Sequence, residues 1–228
     1  MSIYDHAKFL SRLDKNGYNF NVFYDVGANI GIWSQEIQKI FPTARFEMFE
    51  PLANKVKDLD SSSLLSKLGN KCHLHDIALS NENGKGKIKL LGDRGVGSSI
   101  LILESDSRKN IEYINIDIHK MDDYVKANGI PYPDFIKLDV QAAEMKVLMG
   151  GNECMHNAKF ILLESWARRG YGPETPLFHE LANFLYEKNY VLFEILSIQE
   201  GRDDDGTLRW FDSVFINKTA SKFDSWML

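Results

Sequence analysis

Cysteine and proline are scarce in this chain, and long apolar runs are missing from it. The 228 residues include two cysteines and six prolines. No stretch approaches the roughly 18 apolar residues needed to cross a membrane, and residues 1–6 lack the basic and apolar blocks of a secretory signal. Cys72 and Cys154 each lie in an apolar stretch. We therefore expect two reduced core thiols in a cytoplasmic protein, not a disulfide or a metal pair.

An excess of charge of one sign is also missing. The formal net charge is −5, and the lysines and arginines are scattered among carboxylates without forming a basic stripe. Nucleic-acid-binding proteins usually carry such a stripe, so the composition favours a small or uncharged partner. No internal repeat, proline-rich linker or low-complexity tail divides the chain. We expect one domain over residues 1–228.

What is present is a regular alternation of strand-length apolar segments with segments of helical periodicity. This pattern predicts an α/β fold in which a doubly wound, mostly parallel sheet is covered by helices on both faces. The core strands are predicted over residues 21–26, 45–49, 73–79, 134–139 and 159–164. Helices are predicted from Ile3 to the Asn16-Gly17 stop and over residues 33–40, 54–68, 142–149 and 177–188.

The pattern changes between the third and fourth core strands. Residues 84–118 are predicted to form a β-rich insertion, with short strands over 88–91, 98–103 and 113–118. Ile114, Ile116 and Ile118 alternate with polar residues, which predicts one solvated face. Two further strands, over 190–196 and 210–217, are predicted to close the sheet as an antiparallel hairpin.

The segment from Asp25 to Gly31 (DVGANIG) lies at a predicted strand-to-helix junction. A glycine there lets the backbone approach a ligand closely, and the next helix offers unpaired N–H groups to an anion. Open α/β sheets bind ligands at the carboxyl ends of their strands. We therefore expect Gly27, Asn29 and Gly31 to contact a cofactor.

Two cofactor classes compete for this loop. A dinucleotide fingerprint reads G-x-G-x-x-G, whereas this chain has G-x-x-x-G preceded by Asp25. That carboxylate would repel a pyrophosphate but would suit the ammonium group of S-adenosylmethionine (SAM). Glu50, at the end of the second strand, can accept both ribose hydroxyls of either cofactor, and Asp76 and Ile77 complete the expected cofactor site. SAM is favoured; a nicotinamide-dependent oxidoreductase and a non-catalytic SAM-binding protein are the alternatives.

Metal-binding and phosphate-binding motifs are not found in the sequence. His73 and His75 share a strand face without a third ligand nearby. The His179-Glu180 pair is followed by Asn183 where a second histidine would be needed. We expect no metal site.

Five segments together resemble the FkbM family of methyltransferases: DVGANIG at 25–31, FEP at 49–51, ALS at 78–80, GSS at 97–99 and DFIKLDVQAAE at 134–144. The resemblance spans residues 22–165. It implies a class I methyltransferase fold, SAM as the cofactor, and O-methylation of a small-molecule or glycan hydroxyl, often on a sugar or polyketide. One departure is Gln141-Ala142, where the family usually has Glu-Gly.

An alcohol acceptor benefits from a general base, which we expect at the end of the fourth or fifth strand. Asp139 ends the fourth strand, Lys137 shares its face, Glu144 lies one turn into the next helix, and Glu164 ends the fifth strand. These four are the candidate catalytic residues. The alternatives are a structural Lys137–Asp139 ion pair and, for Glu144, a carboxylate that stabilises a helix N-terminus. The loop around residues 166–172 is either a lid over the acceptor or a plain surface loop.

Overall fold

A computed structural model describes residues 3–56, 68–90, 112–199 and 201–222. Its main sheet contains β1 (Val22–Val26), β2 (Arg45–Phe49), β3 (Cys72–His75), β7 (Phe135–Leu138), β8 (Phe160–Trp166), β9 (Tyr190–Leu196) and β10 (Trp210–Asn217). The strand order is β3-β2-β1-β7-β8-β10-β9. All neighbours from β3 to β8 are parallel, whereas β10 is antiparallel to both β8 and β9. The predicted parallel sheet with a C-terminal antiparallel hairpin is confirmed.

Helices cover both faces of this sheet. They are α1 (Ile3–Lys15), α2 (Ile32–Gln38), α3 (Met121–Ala127), α4 (Glu144–Met149), α5 (Asn152–Asn157) and α6 (Phe178–Glu187). Successive side chains of a strand point to opposite faces. Phe23 accordingly packs in the cluster with α1 and α2, and Tyr24 packs in the cluster with α3 to α6. Cys72 and Cys154 are buried free thiols in these two different layers, as predicted.

A second, three-stranded sheet lies beside the main one. It consists of β4 (Ala78–Ser80), β5 (Gly84–Lys89) and β6 (Tyr113–Lys120) in the order β4-β6-β5. Ile116 and Ile118 are buried while Asn115 and Asp117 are exposed, so the solvated face predicted for β6 is confirmed.

Some element boundaries differ from the sequence predictions. The third strand, predicted as one segment over 73–79, is divided between β3 in the main sheet and β4 in the small one. The short helices α3 and α5 were not predicted, since seven and six residues are too few for a clear period. The predicted strand 98–103 and most of the predicted helix 54–68 lie outside the described residues. Within the described ranges, no helix is long and apolar enough to cross a membrane.

The strand register determines which side chains meet at the carboxyl edge of the sheet. Val26, the last residue of β1, pairs with Phe49 of β2 on one side and with Leu138 of β7 on the other. Leu138 in turn pairs with Leu163 of β8. The next residues on these strands are Glu50, Gly27, Asp139 and Glu164. They therefore form one row along the edge where parallel sheets bind ligands.

Candidate active site

The loop after β1 begins with a glycine that the fold itself requires. Gly27 has a φ of +77°, and a Cβ built on it would lie 1.9 Å from the main-chain oxygen of Asp139. Its N–H donates to the Phe49 carbonyl at 2.9 Å. Gly27 thus connects the carboxyl ends of three strands. The sequence predicted a glycine here for the approach of a cofactor, but the structure gives a different reason, the approach of β7.

Glu50 is held between this loop and the turn after β2. Its Oε2 accepts from the N–H of Asn29 at 2.9 Å, and its Oε1 accepts from the N–H of Leu52 at 2.9 Å. The side chain is 6% exposed. Burial raises the pKa of Glu50, and the two N–H contacts offset part of that rise. A carboxylate has about four lone-pair sites, so both oxygens retain acceptor capacity.

A cavity of about 280 Å³ opens along the edge from Glu50 to Asp139. Of the predicted cofactor residues, Gly27, Asn29, Glu50 and Ile77 line it. Its apolar wall includes Ile3, Ile30, Trp33, Leu52 and Leu79. The cavity wall, as far as the structure describes it, does not include the other three predicted cofactor residues, Asp25, Gly31 and Asp76. Gly31 caps α2 in a left-handed conformation, and the Asp76 side chain is 64% exposed near Lys55.

Asp25 lies beneath the loop, and this corrects the contact predicted for it with the SAM ammonium group. The side chain is fully buried. Its Oδ1 accepts from Lys137 Nζ at 2.9 Å and its Oδ2 from Ser34 Oγ at 2.7 Å. Lys137 also donates to the Gly27 carbonyl at 2.9 Å. Burial alone would lower the pKa of Lys137, but Asp25 and Asp139 outweigh it and raise that pKa.

Asp139 stands at the cavity wall with a partly exposed side chain. Its Oδ2 is 3.8 Å from Lys137 Nζ, so the predicted Lys137–Asp139 pair exists, but it is looser than the pair with Asp25. Its Oδ1 accepts from Gln141 Nε2 at 2.7 Å. Gln141 and Ala142 have φ angles of +55° and +75°. The position of Ala142 is thus one that favours glycine, the residue usual in the family.

Glu144 and Glu164 lie behind Asp139, and neither is part of the described cavity wall. Glu144 is fully buried and its Oε1 accepts from the Val140 N–H at 3.0 Å, so it supports the turn before α4. Burial raises the pKa of Glu144 to about 8. Burial, followed by the charges of Asp139 and Glu144, raises the pKa of Glu164 well above its ordinary value. Glu144 is therefore largely protonated at neutral pH.

A buried chain of three side chains beside the cavity was missed by sequence reasoning. Trp33 Nε1 donates to His6 Nδ1 at 3.2 Å, and His6 Nε2 bonds to Asp212 Oδ2 at 2.9 Å. His6 and Asp212 are 0% and 1% exposed. The chain fixes α1 against β10 next to the cavity wall, which includes Ile3 and Trp33. The partners are 206 residues apart, so no local spacing signals them.

Residues 167–176, between β8 and α6, form a loop that is held at several points. Arg169 bonds to the Thr175 carbonyl and pairs with Glu180 at 2.7 Å. Tyr171 packs edge-on against Trp166, with ring centroids 5.3 Å apart, and its hydroxyl donates to Gln141 Oε1. The loop thus reaches the cavity wall through Gln141.

Comparison with known proteins identifies the family. The Methyltransferase FkbM domain matches residues 25–192, a range that contains the loop after β1, Glu50 and the Asp139 segment. The chain belongs to the FkbM methyltransferase family. This confirms the predicted family and excludes the nicotinamide-dependent oxidoreductase. The family implies SAM as the methyl donor.

Similar proteins agree with this assignment. The 2-O-methyltransferase NoeI of Sinorhizobium fredii is 26% identical over 189 residues, which cover 75% of this FkbM chain and 73% of NoeI. An O-methyltransferase family protein from Burkholderia thailandensis has a TM-score of 0.51 at 9% identity; the match covers 93% of this chain and 55% of that one. A SAM-dependent methyltransferase from Agrobacterium tumefaciens also has a TM-score of 0.51, at 10% identity, with 93% and 61% covered. At these identities, the structural likeness shows the fold alone.

Proposed function

We propose that this FkbM-family chain transfers a methyl group from SAM to a hydroxyl of a sugar, glycan or secondary metabolite. The observation that carries the proposal is that one cavity joins Glu50 at the end of β2 to Asp139 at the end of β7. In this proposal Glu50 binds the nucleoside and Asp139 is the base for the acceptor; both residues line the cavity. The similarity to NoeI, a 2-O-methyltransferase, supports a hydroxyl as the acceptor.

The residues around Glu50 fit an adenosine cofactor. The unused lone pairs of Glu50 can accept the two ribose hydroxyls, because each oxygen binds one N–H of the protein. The apolar side chains of Leu52, Ile77 and Leu79 line the same cavity and suit the faces of an adenine ring. When bound, SAM supplies an electrophilic methyl group on a sulfonium. Asp25 acts indirectly in this proposal, because it holds Lys137 under the loop.

Asp139 is the proposed general base. Its carboxylate lines the cavity, and the positive charge of Lys137 lies 3.8 Å away. Asp139 would take up the proton of the acceptor hydroxyl, and SAM, when bound, would supply the methyl group to that oxygen. Glu144 and Glu164 are weaker candidates, because neither lines the described part of the cavity. Lys137 keeps the role of positioning the loop and stabilising the Asp139 charge.

The test is a screen of sugar and secondary-metabolite hydroxyls with methyl-labelled SAM, followed by Asp139→Asn on the best acceptor. This variant keeps the shape and removes the charge. Saturated turnover should fall by about 10²-fold or more, with the affinity for S-adenosylhomocysteine nearly unchanged. Asp14→Asn, an exposed site on α1, is the matched control. If Asp139→Asn weakens cofactor binding and leaves saturated turnover intact, Asp139 belongs to the cofactor site and is not the base.

A further inference from the structure

Gln141 stands between the proposed base and the loop of residues 167–176. Its Nε2 donates to Asp139 Oδ1 at 2.7 Å, and its Oε1 accepts from the Tyr171 hydroxyl. Gln141 also lines the cavity. One amide group therefore contacts the base on one side and the loop on the other.

An amide suits the chemistry of this contact. An ionised carboxylate can only accept hydrogen bonds, and the tyrosine hydroxyl here donates. The side chain between them must therefore donate on one side and accept on the other. Glutamine does both, whereas the glutamate usual in the family could accept from Tyr171 but could bond to Asp139 only by taking up a proton. The left-handed backbone at residues 141 and 142 is a conformation that persists where the surroundings enforce it, often at functional sites.

The far side of the loop is fixed independently of Gln141. Arg169 pairs with Glu180 on α6, and the Tyr171 N–H donates to Thr175 Oγ1 at 2.9 Å. The ring of Tyr171 packs against Trp166. These contacts hold Tyr171 in place, so its hydroxyl reaches Gln141 from a fixed position in the loop.

We propose that Gln141 is a positioning residue that couples this loop to Asp139, so that the position of the loop sets the orientation of the base in the cavity. The proposal rests on the role given to Asp139 above. Removal of the Tyr171 hydroxyl should then change the environment of the Asp139 carboxylate, because Gln141 joins the two side chains.

The coupling can be measured without acceptor or methyl donor. The protein is labelled with carbon-13 at the aspartate carboxyl groups, and the Asp139 signal is identified by its loss in Asp139→Asn. Tyr171→Phe removes the hydroxyl that holds the amide, and the Asp139 signal should move. Tyr186→Phe removes a hydroxyl from a tyrosine that is 62% exposed and should leave that signal in place. An Asp139 signal that is unmoved in Tyr171→Phe overturns the coupling.

Hydrogen exchange of residues 167–176 tests the other end of the link. Tyr171→Phe and Gln141→Leu should each speed exchange in this loop by roughly 2- to 10-fold, the effect of one hydrogen bond. Gln141→Glu retains an acceptor for Tyr171 and should stay within about twofold of the wild type. Unchanged exchange in Tyr171→Phe would overturn the proposal, because the loop would then not be held through this hydroxyl.

Gln141→Glu also gives a pH signature that a merely structural role would not produce. It places a second carboxyl group against Asp139, and two such groups share a proton rather than ionise together. With glutamate carboxyl groups labelled as well, the carboxyl group introduced by Gln141→Glu should titrate at higher pH than the one introduced by Gln199→Glu, which adds the same charge at an exposed site. The charged and titratable groups that face this pair, unchanged in both variants, are Lys137, Glu144, Glu164 and Tyr171. Equal titration in both variants overturns the assignment. None of these readouts depends on methyl transfer, so failure of the acceptor screen and failure of this proposal are distinguishable.

Discussion

Glu50 has two tasks that use different lone pairs of the same carboxylate. It anchors the N–H groups of Asn29 and Leu52, and it faces the cavity with its remaining acceptor capacity. Under the proposed function, Glu50 contributes both to the shape of the loop after β1 and to the affinity for the cofactor.

Replacement of Glu50 by glutamine separates charge from size. The amide has a single acceptor oxygen, so one N–H contact or the ribose contact is lost. The loss of a charged hydrogen bond costs about 1.5–3 kcal/mol, which corresponds to roughly 10- to 150-fold in affinity. Calorimetry with S-adenosylhomocysteine measures this, with Glu36→Gln on the outer side of α2 as the control. Equal affinity in the wild type and Glu50→Gln would remove Glu50 from the cofactor site.

Strand periodicity could predict that Lys137 and Asp139 share a face, but it could not predict which carboxylate holds the lysine. That choice depends on the register between strands, which pairs Asp25 directly with Lys137. Gln141 and Tyr171 were likewise beyond sequence reasoning. Their contact joins two loops 30 residues apart and depends on a left-handed turn that no local pattern specifies.

At the scale of elements, the contact between the loop after β1 and the end of β7 is close enough to exclude a methyl group. Gly27→Ala should therefore impair folding. The left-handed φ contributes about 1–2 kcal/mol to the cost. The collision with the Asp139 carbonyl should bring the total to about 3 kcal/mol or more. Urea unfolding measures this loss.

Gly129→Ala is the matched control for this measurement. Gly129 has a φ of +61°, and a Cβ built there meets no atom within 4 Å. Gly129→Ala therefore measures only the cost of the left-handed backbone, and it should lose less stability than Gly27→Ala. Equal losses in the two variants would show that β1 and β7 tolerate a side chain between them.

Long elements with a clear period, such as α1 and the parallel strands, could be predicted from the sequence. The division of residues 73–79 could not, because the apolar residues of β3 and β4 form one continuous pattern although they belong to different sheets. Elements as short as α3 and α5 depend on packing against the sheet more than on their own periodicity.

At the scale of the whole molecule, buried carboxyl groups should shape the pH dependence of stability. Burial raises the pKa of Glu144 to about 8 and that of Glu164 well above its ordinary value. Burial alone would raise the pKa of Glu47 as well, but hydrogen bonds from His75 and Arg45 outweigh it and lower that pKa. As the pH rises, Glu144 and Glu164 therefore lower the stability of the fold, whereas Glu47 increases it.

The direction of each effect on stability follows from whether the folded or the unfolded chain binds the proton more tightly. Glu144 and Glu164 bind protons more tightly when folded, so their contribution to stability is full below the ordinary carboxyl pKa and is lost as the pH rises. For Glu144 the loss extends to about pH 8. The contribution of Glu47 is present above its ordinary pKa and is lost in acid. We therefore expect the melting temperature to be highest near pH 4.5, the ordinary pKa of a glutamate carboxyl group, and to fall from there toward alkaline pH.

Glu144→Gln tests the source of the alkaline decline. Its amide oxygen can still accept from the Val140 N–H, but the side chain no longer ionises. The fall in the free energy of unfolding with pH, up to about 1.4 kcal/mol per pH unit for one group, should become shallower. Denaturant titrations between about pH 5 and pH 8 measure the slope. A slope that matches the wild type would assign the decline to other groups.

The position of β10 between β8 and β9 has a consequence for synthesis on the ribosome. β9 emerges before β10, yet in the described sheet its partner is β10. The edge of β8, whose residues are all buried in the finished sheet, therefore stays open until β10 has been translated. At 5–20 residues per second, the 40 or so residues between β8 and β10 take roughly 2–8 s. During that interval the nascent chain carries an unpaired apolar strand edge, the kind of surface that promotes aggregation and attracts chaperones.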